Sequence, residues 1–238
     1  QLTDLMNLYG SDKGGKNNHH NYSEYYSHIF FNKKKYIKKF LEVGLGTNNV
    51  NLASNMGVEG KPLASLRAWK DYFINAEIYG ADIDKNILKD EEGIKTFYVD
   101  QTDPITISEM FKKIGVEKFD VILEDGLHEF NANICFFENA INFLDDDGTY
   151  IIEDVYYKDK IKFLNYFKNL NYNFSIVDIF HKENIANNCI VLIQKNYHLK
   201  QFLYMNHLYY NIDGYIYQIE ENLYFLFVLN TYHNNSFV

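Results

Sequence analysis

The sequence predicts an α/β fold: a mostly parallel, seven-stranded sheet with helices on both faces. Three observations carry this expectation. Short apolar runs recur between residues 40 and 194 and alternate with stretches of helical period. The first run passes straight into Gly-x-Gly. Most of the later ones end in an acid. Alternation of this kind implies parallel strands joined by right-handed helical crossovers. Such sheets bind ligands at the carboxyl ends of their strands, where these acids fall.

Each element has its own signal. Residues 2–9 put Leu2, Leu5, Met6 and Tyr9 on one helical face. Residues 11–21 form a polar loop, and a second helix is expected from Ser23, as N-cap, to about Phe31. Phe40 to Val43 is the first strand, turning at Gly44-Leu45-Gly46, where glycines permit a tight turn and close approach of a ligand to the backbone. The fuller Gly-x-Gly-x-x-Gly pattern is incomplete, because Asn49 holds the third position. A polar loop at 47–61 precedes a helix that starts near Pro62 and runs through Leu66, Trp69 and Tyr72. Strands follow at 78–82, 97–100, 119–125 and 148–154, with helices at 108–114, 130–143 and 160–170 between or after them. Residues 175–180 and 189–194 close the sheet as an antiparallel pair at its edge. The chain divides into residues 1–38, an N-terminal helical segment, residues 39–196, the α/β domain, and residues 197–238, an aromatic-rich appendage. In that appendage 197–210 is read as a helix, and 215–219 and 224–227 as strands.

Composition narrows the function. At 238 residues the chain can bury a sizeable core. Its net charge of −9 argues against nucleic acid, whose binders present a basic face. The basic run Lys33-Lys34-Lys35 with Lys38 and Lys39 reads as the solvated side of a helix. Cys135 and Cys189 both lie in apolar runs and read as buried free thiols, which suit a reducing compartment. No apolar run approaches the roughly 18 residues of a membrane span, and no signal peptide opens the sequence. A cytoplasmic protein is expected.

The richest stretch for chemistry is 119–155. Two apolar runs end in Asp125 and in Glu153-Asp154, and His128 stands three residues past Asp125. On neighbouring parallel strands these would gather three carboxylates and an imidazole at one sheet edge. Carboxylates suit a hard cation such as Mg²⁺, with Ca²⁺ or Mn²⁺ equally compatible, and the imidazole would be a base beside it. Glu153 and Asp154 are adjacent, so a regular strand would send them to opposite faces. Glu124 points opposite Asp125 for the same reason. Asp82, at the tip of the second strand, is placed to take ribose hydroxyls.

As a set, these residues resemble class I S-adenosylmethionine (SAM)-dependent methyltransferases. Within the class they are similar to the metal-dependent sugar O-methyltransferases of macrolide biosynthesis and to relatives in bacterial surface-polysaccharide gene clusters. The matching pieces are S-D-K-G at 11–14, H-x-Y-x-x-x-Y at 20–26, L-E-V-G-L-G at 41–46, S-L-R-A-W at 65–69, G-A-D-I-D at 80–84, D-Q-T-D at 100–103, E-D-G-L-H at 124–128 and I-E-D-V at 152–155. The resemblance implies a Rossmann-like fold, with SAM and Mg²⁺ as cofactors. Glu42, Gly44 and Gly46 would line the methionine side of SAM, with Ser65, Arg67 and Asp125 also on the cofactor side. Asp82 would bind the ribose, and Asp100 and Gln101 would lie near the adenine. Asp125, Glu153 and Asp154 would hold the cation, and His128 would be the general base. Asp12, Lys13, His20 and Tyr22 would belong to a lid over cofactor and substrate. The acceptor would be a sugar hydroxyl, on a nucleotide-linked sugar or a unit of capsular polysaccharide, and a homo-oligomer is expected. Other readings stay open: a non-sugar acceptor on the same fold, a metal-dependent hydroxylase or hydrolase, or a non-catalytic SAM- or sugar-binding protein.

Overall fold

A computed structural model describes residues 1–16, 20–184 and 186–195, and the backbone of three further strands between 209 and 228. The elements run α1 (Leu2–Tyr9), α2 (Tyr22–Ile29), β1 (Lys39–Val43), α3 (Ala64–Tyr72), β2 (Glu77–Asp82), β3 (Ile94–Tyr98), α4 (Pro104–Ile114), β4 (Phe119–Glu124), α5 (Phe130–Ala140), β5 (Leu144–Ile152), α6 (Lys160–Phe167), β6 (Asn173–Ile179) and β7 (Cys189–Gln194). These seven strands form one sheet in the order β3-β2-β1-β4-β5-β7-β6. All pairs from β3 to β5 are parallel, and β7 runs antiparallel to both of its neighbours. The chain reverses its direction of travel across the sheet between β1 and β4, and a crevice opens at that switch point.

Several boundaries differ from expectation. Strand β3 stops at Tyr98, short of Asp100, so Asp100 sits in the following turn. Helix α4 begins earlier than expected, at Pro104, because Asp103 caps it through the Ile105 N–H. The second helix begins at Tyr22 with Asn21 at its N-cap, so Ser23 lies inside it, and its hydroxyl pairs with Thr3. The β6–β7 hairpin forms as expected but is not the edge. Strand β10 (Leu223–Val228) pairs with β6, and β9 (Tyr215–Glu220) and β8 (Tyr209–Ile212) extend the sheet beyond it. Of the helix expected over 197–210, most lies outside the described residues, and its last two positions belong to β8.

Two apolar layers cover the sheet. On one face α1, α2 and α3 bring Leu2, Met6, Tyr22, Tyr26, Leu66 and Trp69 against Phe40, Ile78 and Val121. Trp69 is fully buried and stacks on Phe73 at 5.3 Å. On the other face α4, α5 and α6 bring Phe111, Phe136, Phe137 and Phe163 against Leu41, Ile122 and Tyr150. Burying an aromatic side chain of this size contributes about 3 kcal/mol or more. The central strands read as continuous apolar runs because both of their faces are covered. Cys189 is buried, Cys135 is half-buried, and both are free thiols. Among the described residues no helix is long and apolar enough to cross a membrane.

Candidate functional site

Register aligns the strand tips. Val43 pairs with Glu124, and Glu124 pairs with Ile152, so the next residues, Gly44, Asp125 and Glu153, leave the sheet side by side. Backbone bonds continue one step past the strands: Gly44 N–H to Ala81 O, Asp125 N–H to Val43 O and Glu153 N–H to Glu124 O. The acids are therefore held by the sheet itself. Beyond them the backbone turns sharply. His128 and Asp154 both adopt left-handed conformations, with φ of 59° and 54°, a rare state for residues other than glycine.

That turn resolves the problem of the adjacent acids. Asp154 swings back toward Asp125, while Glu153 stays directed into the protein. Ligand atoms of Asp125, His128 and Asp154 all lie within 4.8 Å of one another. His128 Nδ1 is 3.8 Å from Asp125 Oδ1 and 3.8 Å from Asp154 Oδ2. It is buried with no hydrogen-bond partner. Two carboxylates around an orphaned buried nitrogen fit a divalent cation with a neighbouring proton acceptor.

Glu153, expected as the third acid ligand, is not in this group. Its Oε1 accepts from the Tyr26 hydroxyl at 2.5 Å, and its Oε2 lies 2.7 Å from the Lys13 ammonium. It is 1 % exposed, and burial holds its carboxyl well above the usual range despite Lys13. Glu153 follows directly on β5, which ends at Ile152, and the left-handed turn at Asp154 is the bend that adjacent acids need in order to approach one point.

The cavity over these tips encloses about 620 Å³, a volume suited to a cofactor-sized ligand. Gly44, Gly46, Ser65, Asp82, Asp100, Gln101, Asp125, His128 and Asp154 line it, as do Asp12, Lys13 and His20. Gly44 has φ of 90°, and a Cβ there would overlap the carbonyl of Asp125. Asp82 is buried and accepts from Leu45 N–H at 2.7 Å and from Asp84 N–H at 2.8 Å. Burial raises its pKa, and these hydrogen bonds oppose the rise. Asp100 is held in its turn by Thr102 N–H at 2.9 Å. The Gln101 amide donates to Glu124 at 2.9 Å and accepts from Leu127 N–H at 2.6 Å, so it braces the loop that carries His128.

Two of the cofactor-side candidates stand off the cavity wall. Arg67 points away and forks onto Glu91, at 2.9 Å and 2.7 Å. That hydrogen-bonded pair raises the guanidinium pKa and lowers that of Glu91. Glu42 is fully buried beneath the wall, facing the Lys13 ammonium at 3.7 Å and the Ser65 side chain. Burial pushes its carboxyl up to about 8.

The N-terminal segment reaches the same edge. The Tyr22 hydroxyl donates to Asp154 Oδ1 at 2.7 Å. His20 stacks on Tyr22 and sets Nε2 3.3 Å from the same oxygen. Its Nδ1 meets Asn188 at 2.9 Å. Sequence reasoning missed several neighbours. Thr47 donates to buried Asp84 at 2.5 Å, behind Asp82. Glu124 is fully buried and bonded to Asn133 and Gln101 behind the 125–128 loop. Leu52, Met56 and Tyr156 also line the cavity. Asp84 had a signal in the second acid of G-A-D-I-D. Asn188 had none, since it approaches from the turn just before β7.

No family model matches the chain. It is 29% identical over 154 residues to the 8-demethyl-8-alpha-L-rhamnosyl tetracenomycin-C 2'-O-methyltransferase of Streptomyces olivaceus, a match covering 65% of this chain and 37% of that protein. It is 34% identical over 93 residues to the mycinamicin VI 2''-O-methyltransferase of Micromonospora griseorubida, covering 39% of this chain and 23% of that protein. In structure it resembles the MycE methyltransferase of the mycinamycin biosynthetic pathway, solved in complex with Mg, SAH and mycinamycin VI. The TM-score is 0.62 at 22% identity, over 81% of this chain and 54% of that one. The chain thus spans about half the length of that structure and little more than a third of the first of these curated relatives. The chain has the class I methyltransferase fold, and in sequence it is similar to sugar O-methyltransferases of antibiotic biosynthesis.

Proposed function

We propose that this chain is a SAM- and Mg²⁺-dependent O-methyltransferase acting on a sugar hydroxyl, with His128 as the general base. The observation that carries the reading is the meeting of Asp125, His128 and Asp154 in the floor of one cavity, beside the Gly44–Gly46 turn and Asp82. The similarity to sugar O-methyltransferases supports the acceptor class. A nucleotide-linked sugar or a unit of surface polysaccharide is the acceptor we favour. Residues 1–38 would act as the lid, 39–196 as the catalytic domain and 197–238 as an appendage in a cytoplasmic homo-oligomer.

When bound, the two cofactors supply an electrophilic methyl carbon and a charge that acidifies a nearby hydroxyl. The chain's own residues do the rest. Asp125 and Asp154 would hold the cation, with the adjacent Glu153 as the third acid of the set, since Mg²⁺ prefers oxygen donors. This leaves His128 to take the acceptor's proton, a role that suits an imidazole with a reference pKa of about 6.5. Asp82 binds the ribose hydroxyls. Gly44 and Gly46 leave the backbone bare for the methionine end, and Asp100 and Gln101 border the adenine. The cavity wall aligns acceptor and methyl group, which is where most of the rate advantage of such a displacement arises.

The test is calorimetric titration with S-adenosylhomocysteine, with and without Mg²⁺, followed by turnover of nucleotide sugars with labelled SAM. Micromolar binding and Mg²⁺-dependent turnover are expected. His128→Ala should keep the binding and lose turnover by about 10²-fold or more. Absence of binding in both conditions rejects the methyltransferase reading. Equal loss of binding and turnover in His128→Ala rejects the base.

A further inference from the structure

The cavity has two ends. Gly44, Gly46, Asp82 and Gln101 line it at the tips of β1, β2 and β3. At the other end Tyr156, which follows β5, and Asn187, which precedes β7, line it. Asp125, His128 and Asp154 stand between the two. The β5–β7 pairing continues past the sheet, with Val155 N–H to Cys189 O at 3.0 Å and Tyr157 N–H to Ala186 O at 3.1 Å. These bonds bracket Tyr156 and Asn187 and set them across from each other. Both side chains are uncommitted. Tyr156 is 39 % exposed, and neither its hydroxyl nor the Asn187 amide makes a hydrogen bond among the described residues. The exposed Lys158 ammonium lies 5.4 Å from the Tyr156 ring centroid and occupies one face at most. Their neighbours on the wall are engaged, His20 with Asn188 and Asp154 with Tyr22. This end of the cavity thus offers an open aromatic ring beside a free amide.

We propose that Tyr156 and Asn187 form the acceptor subsite and set its specificity: the Tyr156 ring carries one face of a pyranose, and the Asn187 amide takes hydroxyls beside the one that is methylated. The inference rests on the proposed function and adds which residues select the sugar. Geometry chooses the end. An acceptor hydroxyl at His128, with the methyl donor over the glycine turn, leaves the rest of the acceptor on the β5–β7 side of the cavity. The residue types fit what lies there. A pyranose has an apolar C–H face and a rim of hydroxyls. An aromatic ring covers the C–H face, and its phenol keeps a polar tip at the rim. An amide sets a donor beside an acceptor, which matches neighbouring hydroxyls that both give and take. A catechol-like diol places both of its oxygens at the cation and has none left for the amide. The pair therefore favours a sugar over a flat diol. A site that hydrogen-bonds a substrate hydroxyl also rejects the analogue that lacks it, because the polar partner is left unpaired.

The test is saturation-transfer NMR titration of the full chain, in S-adenosylhomocysteine and Mg²⁺, with the methyl pyranosides of glucose, galactose, mannose and rhamnose and their monodeoxy analogues. At least one pyranoside should bind, with transfer strongest at its ring C–H protons. Tyr156→Ala should weaken that binding by about tenfold, and Tyr156→Phe, which keeps the ring, should retain it. Asn187→Ala should weaken it by about fivefold. It should also lose the wild type's discrimination against one of the deoxy analogues, a coupling that a merely structural role would not produce. Affinity for S-adenosylhomocysteine should be unchanged in all three variants, which reports that they fold. Pyranoside binding unaltered in either alanine variant overturns the proposal and leaves the sugar acceptor standing. Failure of every pyranoside to bind the wild type, with S-adenosylhomocysteine bound, overturns the subsite and the sugar acceptor together. Loss of S-adenosylhomocysteine affinity in step with pyranoside affinity assigns the pair to the cofactor and also overturns the proposal. Absence of S-adenosylhomocysteine binding in the wild type is a separate result, which removes the methyltransferase reading on which the subsite rests.

Discussion

Glu42 shows how a single residue carries the electrostatics of the site. It is the penultimate residue of β1, and the sheet buries it completely. Its carboxyl titrates near 8 when folded, chiefly because burial penalises the charged form, with Lys13 opposing. An unfolded glutamate titrates near 4.5. Between these values the folded state holds a proton that the unfolded state has released. Stability must therefore fall as pH rises through this window. Glu42→Gln cannot ionise and should remove that part of the slope. In metal-free buffer, chemical denaturation should show the variant gaining on the wild type from pH 4.5 to pH 8.5, by roughly 2–5 kcal/mol at about 1.4 kcal/mol per pKa unit. Parallel pH profiles for the two proteins would reject the burial argument. The resemblance named Glu42, within L-E-V-G-L-G at 41–46. It did not reveal that the acid sits beneath the cavity wall, because that depends on Lys13 arriving from a segment 29 positions earlier.

At the scale of elements, the turn after β1 sets the site. Gly44 and Gly46 both have positive φ, of 90° and 72°, but for different surroundings. A Cβ on Gly44 would overlap the Asp125 carbonyl and lie 2.9 Å from Gly126 N, backbone atoms that cannot give way. A Cβ on Gly46 would meet only the flexible Met56 side chain, at 3.1 Å. Gly46→Ala should cost about 1–2 kcal/mol, the ordinary left-handed penalty. Gly44→Ala should cost clearly more and displace Asp125. Urea denaturation of both variants checks the order, and equal losses would show that the loop at 125–128 yields. This contrast also marks what was legible. The apolar runs, the Gly-x-Gly turn and the acids at strand tips identified the sheet and the edge that carries the site. Alternation along β5 warned that Glu153 and Asp154 could not share one ion from a regular strand. The left-handed turns at His128 and Asp154 were invisible, since nothing in either residue type demands them. The pairing of Arg67 with Glu91, 24 positions apart, was equally hidden, because it depends on how α3 meets the loop before β3.

On the scale of the whole molecule, the first thirty residues and the carboxyl edge of the sheet are one polar assembly. Lys13 meets Asp125 and Glu153, His20 and Tyr22 meet Asp154, and Tyr26 meets Glu153. Apolar packing of Leu2, Met6, Tyr25 and Phe30 anchors the same segment to the face under α3. Residues 11–13 and His20 line the cavity, so any ligand that fills it touches this segment and the strand tips together. A ligand that bridges two parts stabilises the state in which they are joined, and the coupling is reciprocal. Hydrogen exchange should then show S-adenosylhomocysteine slowing the amides of the 3-10 turn at Asp12–Gly14 and of α2 more than those of α6 on the far face. Tyr22→Phe removes one tie to Asp154 and should weaken both that protection and ligand affinity, the latter by about 5–30-fold if one hydrogen bond to a carboxylate contributes roughly 1–2 kcal/mol. Uniform protection across the protein, or none in the first thirty residues, would show that the ligand engages the sheet alone and that the N-terminal segment is a packing element rather than a lid.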